Sequence, residues 1–417
     1  MKILIVNTFY YPYNVGGSEA MVKLLAESLQ KNKHEVFVLC TGEEDCREDI
    51  NSVTVYRMRI ANLYQLQNKN KNRLAKILFH LLDIYNVFNK KKIEKVISEI
   101  RPDIIHFNNN YGISPIAWKI AHNFRIPSLL SIHDIFFACP KATILRRNTN
   151  HHCGQPTYLC KYFINTMIYL TKYIQYFTVP SKITLEIFKG RGYFKNKDVE
   201  IVNNAVDFNI TELKNLYEEK KLKYFEKKVV KFCFLGRLLQ SKGLDLLVQA
   251  FSTIENDNIE LHIAGWGALE DLVLDYTKID KRIKFYGTLV NKQKEEFLKK
   301  CDVLIIPSRI FETFGITILE AFQYCMPVIG SNVGAIPEIV ENGKDGIIID
   351  SNSKYELIKA INYFTDKDNI ITCLDNVYSK ITNYSASKYV QKFEKIYKNL
   401  AISKENNFQF DTYNIEK

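Results

Sequence analysis

VLIIPSRIFETFGITILEAFQYCMPVIG, residues 303–330, reads as strand, loop, helix, strand. Val303–Pro307 is a short run that is apolar on both faces. A β-strand carries such a run when both faces of its sheet are covered. Gly315 opens a helical pattern, and Pro327–Gly330 returns to an apolar run. Strand, helix and parallel strand make the unit of a doubly wound α/β sheet, whose ligands sit beyond the carboxyl ends of the strands. There this stretch keeps two carboxylates, Glu312 and Glu320, eight positions apart. The N–H groups of Ile316 and Thr317, at the helix start, offer an anion site. Glu320, about one turn further on, is placed to accept hydrogen bonds from a vicinal diol such as a ribose. Glu312 stands on the other side of that anion site, within reach of sugar hydroxyls. The bare spacing equally fits one surface glutamate and one helix-start glutamate.

The same rhythm repeats outward in both directions. Downstream lies Gly346–Ile349; upstream lie Val229–Leu235, Leu261–Ala264 and Ile283–Tyr286, with helical patterns between them. A separate set precedes these: Ile3–Val6, Glu35–Leu39, Val53–Arg59, Asp103–Phe107, Ser128–Ile132, Phe177–Pro180 and Glu200–Val202. Thr211–Lys228, where Glu and Lys alternate, reads as a solvated helix or linker and marks the boundary between the sets. The expectation is two α/β domains in tandem, 1–208 and 229–384. Ser385–Leu400 is a last amphipathic helix, and 401–417 reads as a polar, frayed tail.

Other strand ends carry further chemistry. Phe232–Arg237 ends in Gly-Arg, and Lys242-Gly243 follows just before a helix opening at Leu244. Arg237 suits bidentate phosphate contact and Lys242 supplies a point charge; both are also ordinary solvated loop cations. Gly16-Gly17-Ser18-Glu19 opens the first helix and offers another close approach to phosphate, with Glu19 favoured at the helix dipole. The pattern is not GxGxxG, which leaves dinucleotide binding poorly supported. His133-Asp134 ends a strand, where a histidine binds a hydroxyl, acts as acid or base, or is a satisfied core residue. His151, His152, Cys153 and Cys160, with Cys139 upstream, have zinc-ligating side chains at a spacing that matches no standard site. No metal is expected from them.

Composition narrows the classes. The 417 residues are 47% hydrophobic and 25% charged, an ordinary globular balance for two or three domains. The nine cysteines are scattered and read as reduced thiols. The opening MKILIVN is too short for a signal-peptide core, and no run spans a membrane, so a cytoplasmic location is expected. Net charge is +11, and residues 1–204 hold 28 Lys and Arg against 16 Asp and Glu, a surplus of 12. The remainder holds 29 against 30. Asn68–Lys95 is the densest basic segment and reads as a basic amphipathic helix, either packed on a sheet or also touching anionic lipid. Nucleic acid is not an expected partner. The cations form no aromatic-interleaved stripe, and Glu312 and Glu320 repel phosphates that lack a diol.

Taken in order, these motifs resemble the GT-B-fold retaining glycosyltransferases of family 4. The resemblance rests on GGSE at 16–19, HD at 133–134, VNNAVD at 202–207, GR and SKG at 236–243, IAGWG at 263–267, and Glu312 and Glu320 in an E-x7-E pattern. It covers nearly the whole chain. It implies two Rossmann-like doubly wound parallel-sheet domains facing a cleft, with the last helix crossing back to the first domain. The C-terminal domain would bind a nucleotide diphosphate-sugar and the N-terminal one an acceptor. Arg237 and Lys242 would hold the diphosphate, and Glu320 the ribose. Glu312 and the backbone amides near Phe314, Gly315 and Ile316 would hold the donor sugar. His133 would touch a sugar hydroxyl, and the backbone at Gly17 would approach phosphate or acceptor. No cofactor or divalent metal is implied. The implied reaction passes a hexose-type sugar to a saccharide or lipid-linked saccharide of the cell surface, with peripheral contact between the basic N-terminal half and anionic membrane. Three positions depart from the family: Trp266 where a small or acidic residue is usual, Cys325 where glycine is usual, and Ala335 for the second glycine of GGIPE. A nucleotide-sugar epimerase of the same architecture and a non-catalytic nucleotide-sugar binder are the other readings; adding an acceptor separates them.

Overall fold

Fourteen short strands, most of them rich in Val and Ile, build two sheets in a computed structural model that describes all residues except 14–15, 67–72, 141–142, 144–152, 154–155, 225–227 and 414–417. The first sheet contains β1 (Lys2–Val6), β2 (Glu35–Gly42), β3 (Cys46–Ile50), β4 (Val53–Arg59), β5 (Ile104–Phe107), β6 (Ser128–Ser131), β7 (Tyr176–Val179) and β8 (Asp198–Ile201). Their order is β3-β4-β2-β1-β5-β6-β7-β8. The second contains β9 (Val230–Leu235), β10 (Ile259–Ala264), β11 (Ile283–Phe285), β12 (Val303–Ile306), β13 (Val328–Ser331) and β14 (Gly346–Ile349), in the order β11-β10-β9-β12-β13-β14. All pairings are parallel except β3 with β4.

β3 escaped the sequence reading because CREDI is charged and lies at the sheet edge. Asn51 and Ser52, both at positive φ, turn it into a hairpin with β4. A charged edge strand also blunts pairing with other chains. The central strands behave oppositely: β5, β12 and β13 are buried at every residue.

In each sheet the strand order reverses once, between β1 and β5 and between β9 and β12. The crevices that bind ligands open at such points. Gly17, His133, Arg237, Lys242, Glu312 and Glu320 lie in the loops, or the helices they lead into, that follow β1, β6, β9 and β12.

Three expectations need correction. The basic segment 68–95 is not one helix. Its described part is a helix at Arg73–Asp83, a 3₁₀ turn at Val87–Asn89, and a second helix at Lys90–Ile100. Asn86 and Asn89 break it, because their amides hold the backbone of Ala61 and Gly112 instead of solvent. The alternating Glu-Lys stretch is the helix Ile210–Lys223, and its Leu213, with Tyr224 just beyond, is buried in the second core. Tyr217 stacks on Tyr378 of the helix Lys367–Ile381. The tail is also ordered further than composition suggested, since the last helix runs Ala386–Tyr413. That helix packs on the first sheet: Tyr389, Val390, Phe393, Ile396 and Tyr397 join a core with Ile3 and Ile5 of β1 and Val36 and Val38 of β2. Tyr397 Oη lies 2.7 Å from His106 Nδ1 inside that core.

Candidate functional site

Four loops converge between the sheets, and glycines set their paths. After β9, Gly243 has φ +72, and a Cβ there would lie 1.9 Å from the carbonyl oxygen of Pro307, the residue that follows β12. The two loops are therefore in backbone contact. Arg309 ties them further: its Nη1 donates to both oxygens of Asp245, at 2.7 and 2.9 Å, and to Gln240 O at 2.9 Å. The N–H of Arg309 donates to Ser241 O.

This framework sets Lys242 beside Glu312. Lys242 Nζ is 2.5 Å from Glu312 Oε1, and Ser308 Oγ donates to the same oxygen at 2.9 Å. Both side chains of the pair are less than a fifth exposed, at 19% and 17%. Gly334, at φ +61, lets the next loop press on the Glu312 backbone, whose carbonyl accepts from Ala335 N–H at 2.8 Å. Arg237, like Lys242, follows β9. It is exposed and makes no side-chain hydrogen bond or ion pair among the described residues.

Gly315 takes φ +89 and caps the helix Ile316–Gln323. Phe314 turns its ring into the core, so only its backbone can face a ligand. Glu320 lies on that helix, 2.5 Å from Lys294 Nζ through Oε1, while its Oε2 is buried without a partner among the described residues. Lys294 comes from the helix Lys292–Lys300. Nothing in its sequence surroundings marks it, because it meets Glu320 only through the fold.

The first sheet supplies the opposite wall. The helix Gly17–Lys31 starts at the site, capped by Glu19, whose Oε2 accepts from Gly16 N–H at 2.8 Å. Burial, joined by the like charge of Asp134, holds the Glu19 carboxyl above its usual range. A Cβ on Gly17 would lie 2.6 Å from Ile316 Cδ1. The N-termini of two helices, one from each half, thus meet at these residues. Each helix start carries partial positive charge.

His133 completes this wall. Its Nε2 is 2.7 Å from Asn108 Oδ1. Asn108 Nδ2 faces the carbonyls of Val6 and His106, which fixes Oδ1 toward the ring. Nε2 therefore carries the proton and Nδ1 is left as an acceptor. Burial pushes the imidazole down to about 4, so it is neutral at physiological pH. Burial also raises the Asp134 carboxyl, against the N–H of Phe136 that it accepts. Thr313 Oγ1 donates to His133 O at 2.7 Å, tying the loop of Glu312 directly to that of His133. Asn108, Ser308, Thr313 and Lys294 were not singled out from sequence. Ser308 and Thr313 flank Glu312 in an already suspect loop, which was the available signal.

The zinc-type residues do not form a described site. His151 and His152 lie outside the described residues, and Cys139, Cys153 and Cys160 form no disulfide among the described residues. Among the described residues no three His, Cys, Asp or Glu side chains come together to hold a metal. No helix among them is long and apolar enough to cross a membrane.

Of the departures noted in the sequence, Cys325 has φ +52, which explains why glycine suits that position. Ala335 has φ −83 and needs no glycine.

Comparison with known proteins agrees with this architecture. Residues 15–209 match the family Glycosyltransferase Family 4, and residues 217–386 match Glycosyl transferases group 1. A 42.6 kDa protein of a cps region in Klebsiella pneumoniae is 28% identical over 342 residues, covering 81% of this chain and 87% of that protein. Sucrose-phosphate synthase from Thermosynechococcus elongatus superposes with a TM-score of 0.72 at 17% identity, covering 96% of this chain and 99% of that one. Anabaena HepE in complex with UDP superposes with a TM-score of 0.68 at 17% identity, covering 96% and 100%. At such identities the two structures speak for the fold, which is GT-B. With one family matched across each half, the chain belongs to the group 1 and family 4 glycosyltransferases.

Proposed function

We propose that the protein is a retaining, metal-independent hexosyltransferase. It moves a sugar from a nucleotide diphosphate-sugar to a hydroxyl of a lipid-linked or growing cell-surface saccharide. The observation that carries this reading is the meeting of two helix N-termini at Gly17 and Ile316, beside Lys242 and Glu312. A diphosphate in that space gains two dipoles and the charges of Lys242 and Arg237. Such preorganised charge stabilises a leaving phosphate in the way a metal ion would.

In this mechanism Lys242 moves its charge from Glu312 to the donor phosphate, and Glu312 then accepts from sugar hydroxyls. Glu320 accepts from the ribose diol. The amides of Phe314 to Ile316 and the Nδ1 of neutral His133 position the sugar. The acceptor hydroxyl attacks on the face the diphosphate leaves, its proton passes to the leaving phosphate oxygen, and no protein nucleophile takes part.

The cps-region relative supports a surface polysaccharide as product, and the neighbour solved with UDP supports a nucleotide donor. Peripheral contact with anionic membrane is part of the proposal. It is supported by the basic N-terminal half and by Leu74, Leu78 and Leu81, exposed along the helix Arg73–Asp83. The protein would then work at the cytoplasmic face.

The test is a thermal-shift titration with UDP, GDP, ADP and their sugar conjugates, with and without EDTA. Selective stabilisation by one nucleotide that survives EDTA is expected. Stabilisation that needs a divalent cation overturns metal independence, and none with any nucleotide overturns the donor site.

A further inference from the structure

Trp266 is the departure from the family that backbone geometry does not account for. It is 51% exposed, whereas the chain's other tryptophan, Trp118, is fully buried in the core of the first half. An indole left in water forfeits the burial that makes it valuable in a core. The loop does not need the ring either, because backbone groups hold it. Trp266 O accepts from Leu238 N–H at 2.8 Å, and Leu238 O accepts from Leu269 N–H at 2.9 Å.

The position of the residue supplies a reason. The loop after β10 lies flat on the loop after β9. A Cβ on Gly265 would lie 1.8 Å from Gly236 O, and one on Gly267 would lie 2.5 Å from Leu238 O. These contacts bracket Trp266 on one loop and Arg237 on the other, so two exposed residues stand at matching positions of the paired loops. On the opposite side, Gly265 N–H donates to Gly287 O at 2.8 Å, in the loop after β11. That loop leads into the helix Lys292–Lys300, whose Lys294 meets Glu320. Trp266 is thereby fixed at the carboxyl end of β10, between the loop of the proposed phosphate cation and the loop leading to the partner of the proposed ribose carboxylate.

In a nucleotide, phosphate, ribose and base are joined in that order. Arg237, Lys242, Glu312 and Glu320 have chemistry for the phosphates and the hydroxyls, and none of them suits the flat face of a base. An aromatic ring does, because every base has a π-face on which it stacks.

We infer that Trp266 is the platform on which the nucleobase of the donor stacks, while Arg237 beside it takes the phosphate. The inference deepens the nucleotide-sugar reading and rests on it. Stacking does not read hydrogen-bonding edges, so Trp266 adds affinity for nucleotides as a class and leaves the choice among bases to other groups.

UDP, GDP and ADP are titrated into the wild-type protein, Trp266→Phe and Trp266→Ala, with binding read by isothermal titration and by tryptophan emission. Inorganic pyrophosphate, which has no base, is titrated alongside, and circular dichroism checks that both variants fold. At least one nucleotide binds the wild type and quenches its emission. The quench is lost in both variants, where only the buried Trp118 reports. Trp266→Ala weakens that nucleotide on the order of tenfold, while Trp266→Phe, which keeps a flat ring, stays within about threefold, and pyrophosphate affinity changes by less than about twofold. Nucleotide affinity within about twofold of wild type in Trp266→Ala overturns the platform. So does an equal loss of nucleotide and pyrophosphate, which marks a displaced loop. No binding of any nucleotide to the wild type overturns the donor reading, and the platform with it.

Discussion

Glu320 has one partner in this fold and one oxygen left over. One oxygen meets Lys294, and the other is buried without a donor among the described residues. A ribose diol would satisfy that second oxygen. Glu320→Gln puts an N–H₂ where an acceptor is needed, so nucleotide affinity is expected to fall about tenfold. Isothermal titration with the stabilising nucleotide checks this, and unchanged affinity removes the ribose role. Asp83 makes a prediction of a different kind. Burial pushes its carboxyl up to about 7 in the folded protein, from near 3.9 in an unfolded chain. Between those values the folded state binds more protons, so stability present at low pH is lost as pH rises toward 7 and above. Asp83→Asn should therefore be more stable than wild type at pH 8, by about 4 kcal/mol, and nearly equal to it at pH 4. Urea melts at the two pH values measure the difference.

At the scale of elements, the strand-loop-helix units decide where chemistry can sit. Gly243 shows the constraint most sharply. Its positive φ and its contact with Pro307 O leave no room for a side chain. Gly243→Ala is expected to cost on the order of 3 kcal/mol or more and to separate Lys242 from Glu312, lowering Tm and turnover together. Most of these units were legible in the sequence. Runs such as VLII and VIGS are apolar on both faces, and a residue such as Gly315 announces a helix start. Boundaries came out within a few residues because hydrophobicity fades gradually, whereas pairing ends at a definite residue. What was not legible depended on distant partners. β3 needs β4 to be a strand, Lys294 needs Glu320 to be a site residue, and the buried Asn86 and Asn89 look like solvent-facing amides until their backbone partners are known. The pairing of Lys242 with Glu312, residues seventy positions apart, is of the same kind.

Across the whole molecule, small contacts bridge the two sheets near the site. Glu338 accepts from Lys182 N–H at 2.9 Å and Ile183 N–H at 2.6 Å, capping a helix of the other half. Ser181 and Thr184 both donate to Thr313 O. Glu338→Ala should loosen this approach, leaving nucleotide affinity within about twofold while lowering kcat on the order of tenfold, because only the facing wall moves. Equal loss in both would place Glu338 in the donor site itself. The last helix binds the halves more firmly. Tyr397→Ala removes a fully buried ring and the partner of His106, and is expected to cost about 3–5 kcal/mol in a urea melt. That helix also bears on how the chain is made. β1 and β2 leave the ribosome long before the last helix, yet part of the surface they must bury is supplied by its residues 389–397. During synthesis the first half therefore carries an open apolar face until that helix emerges. The arrival of the last helix closes it, so the first half is completed only after the second has been made.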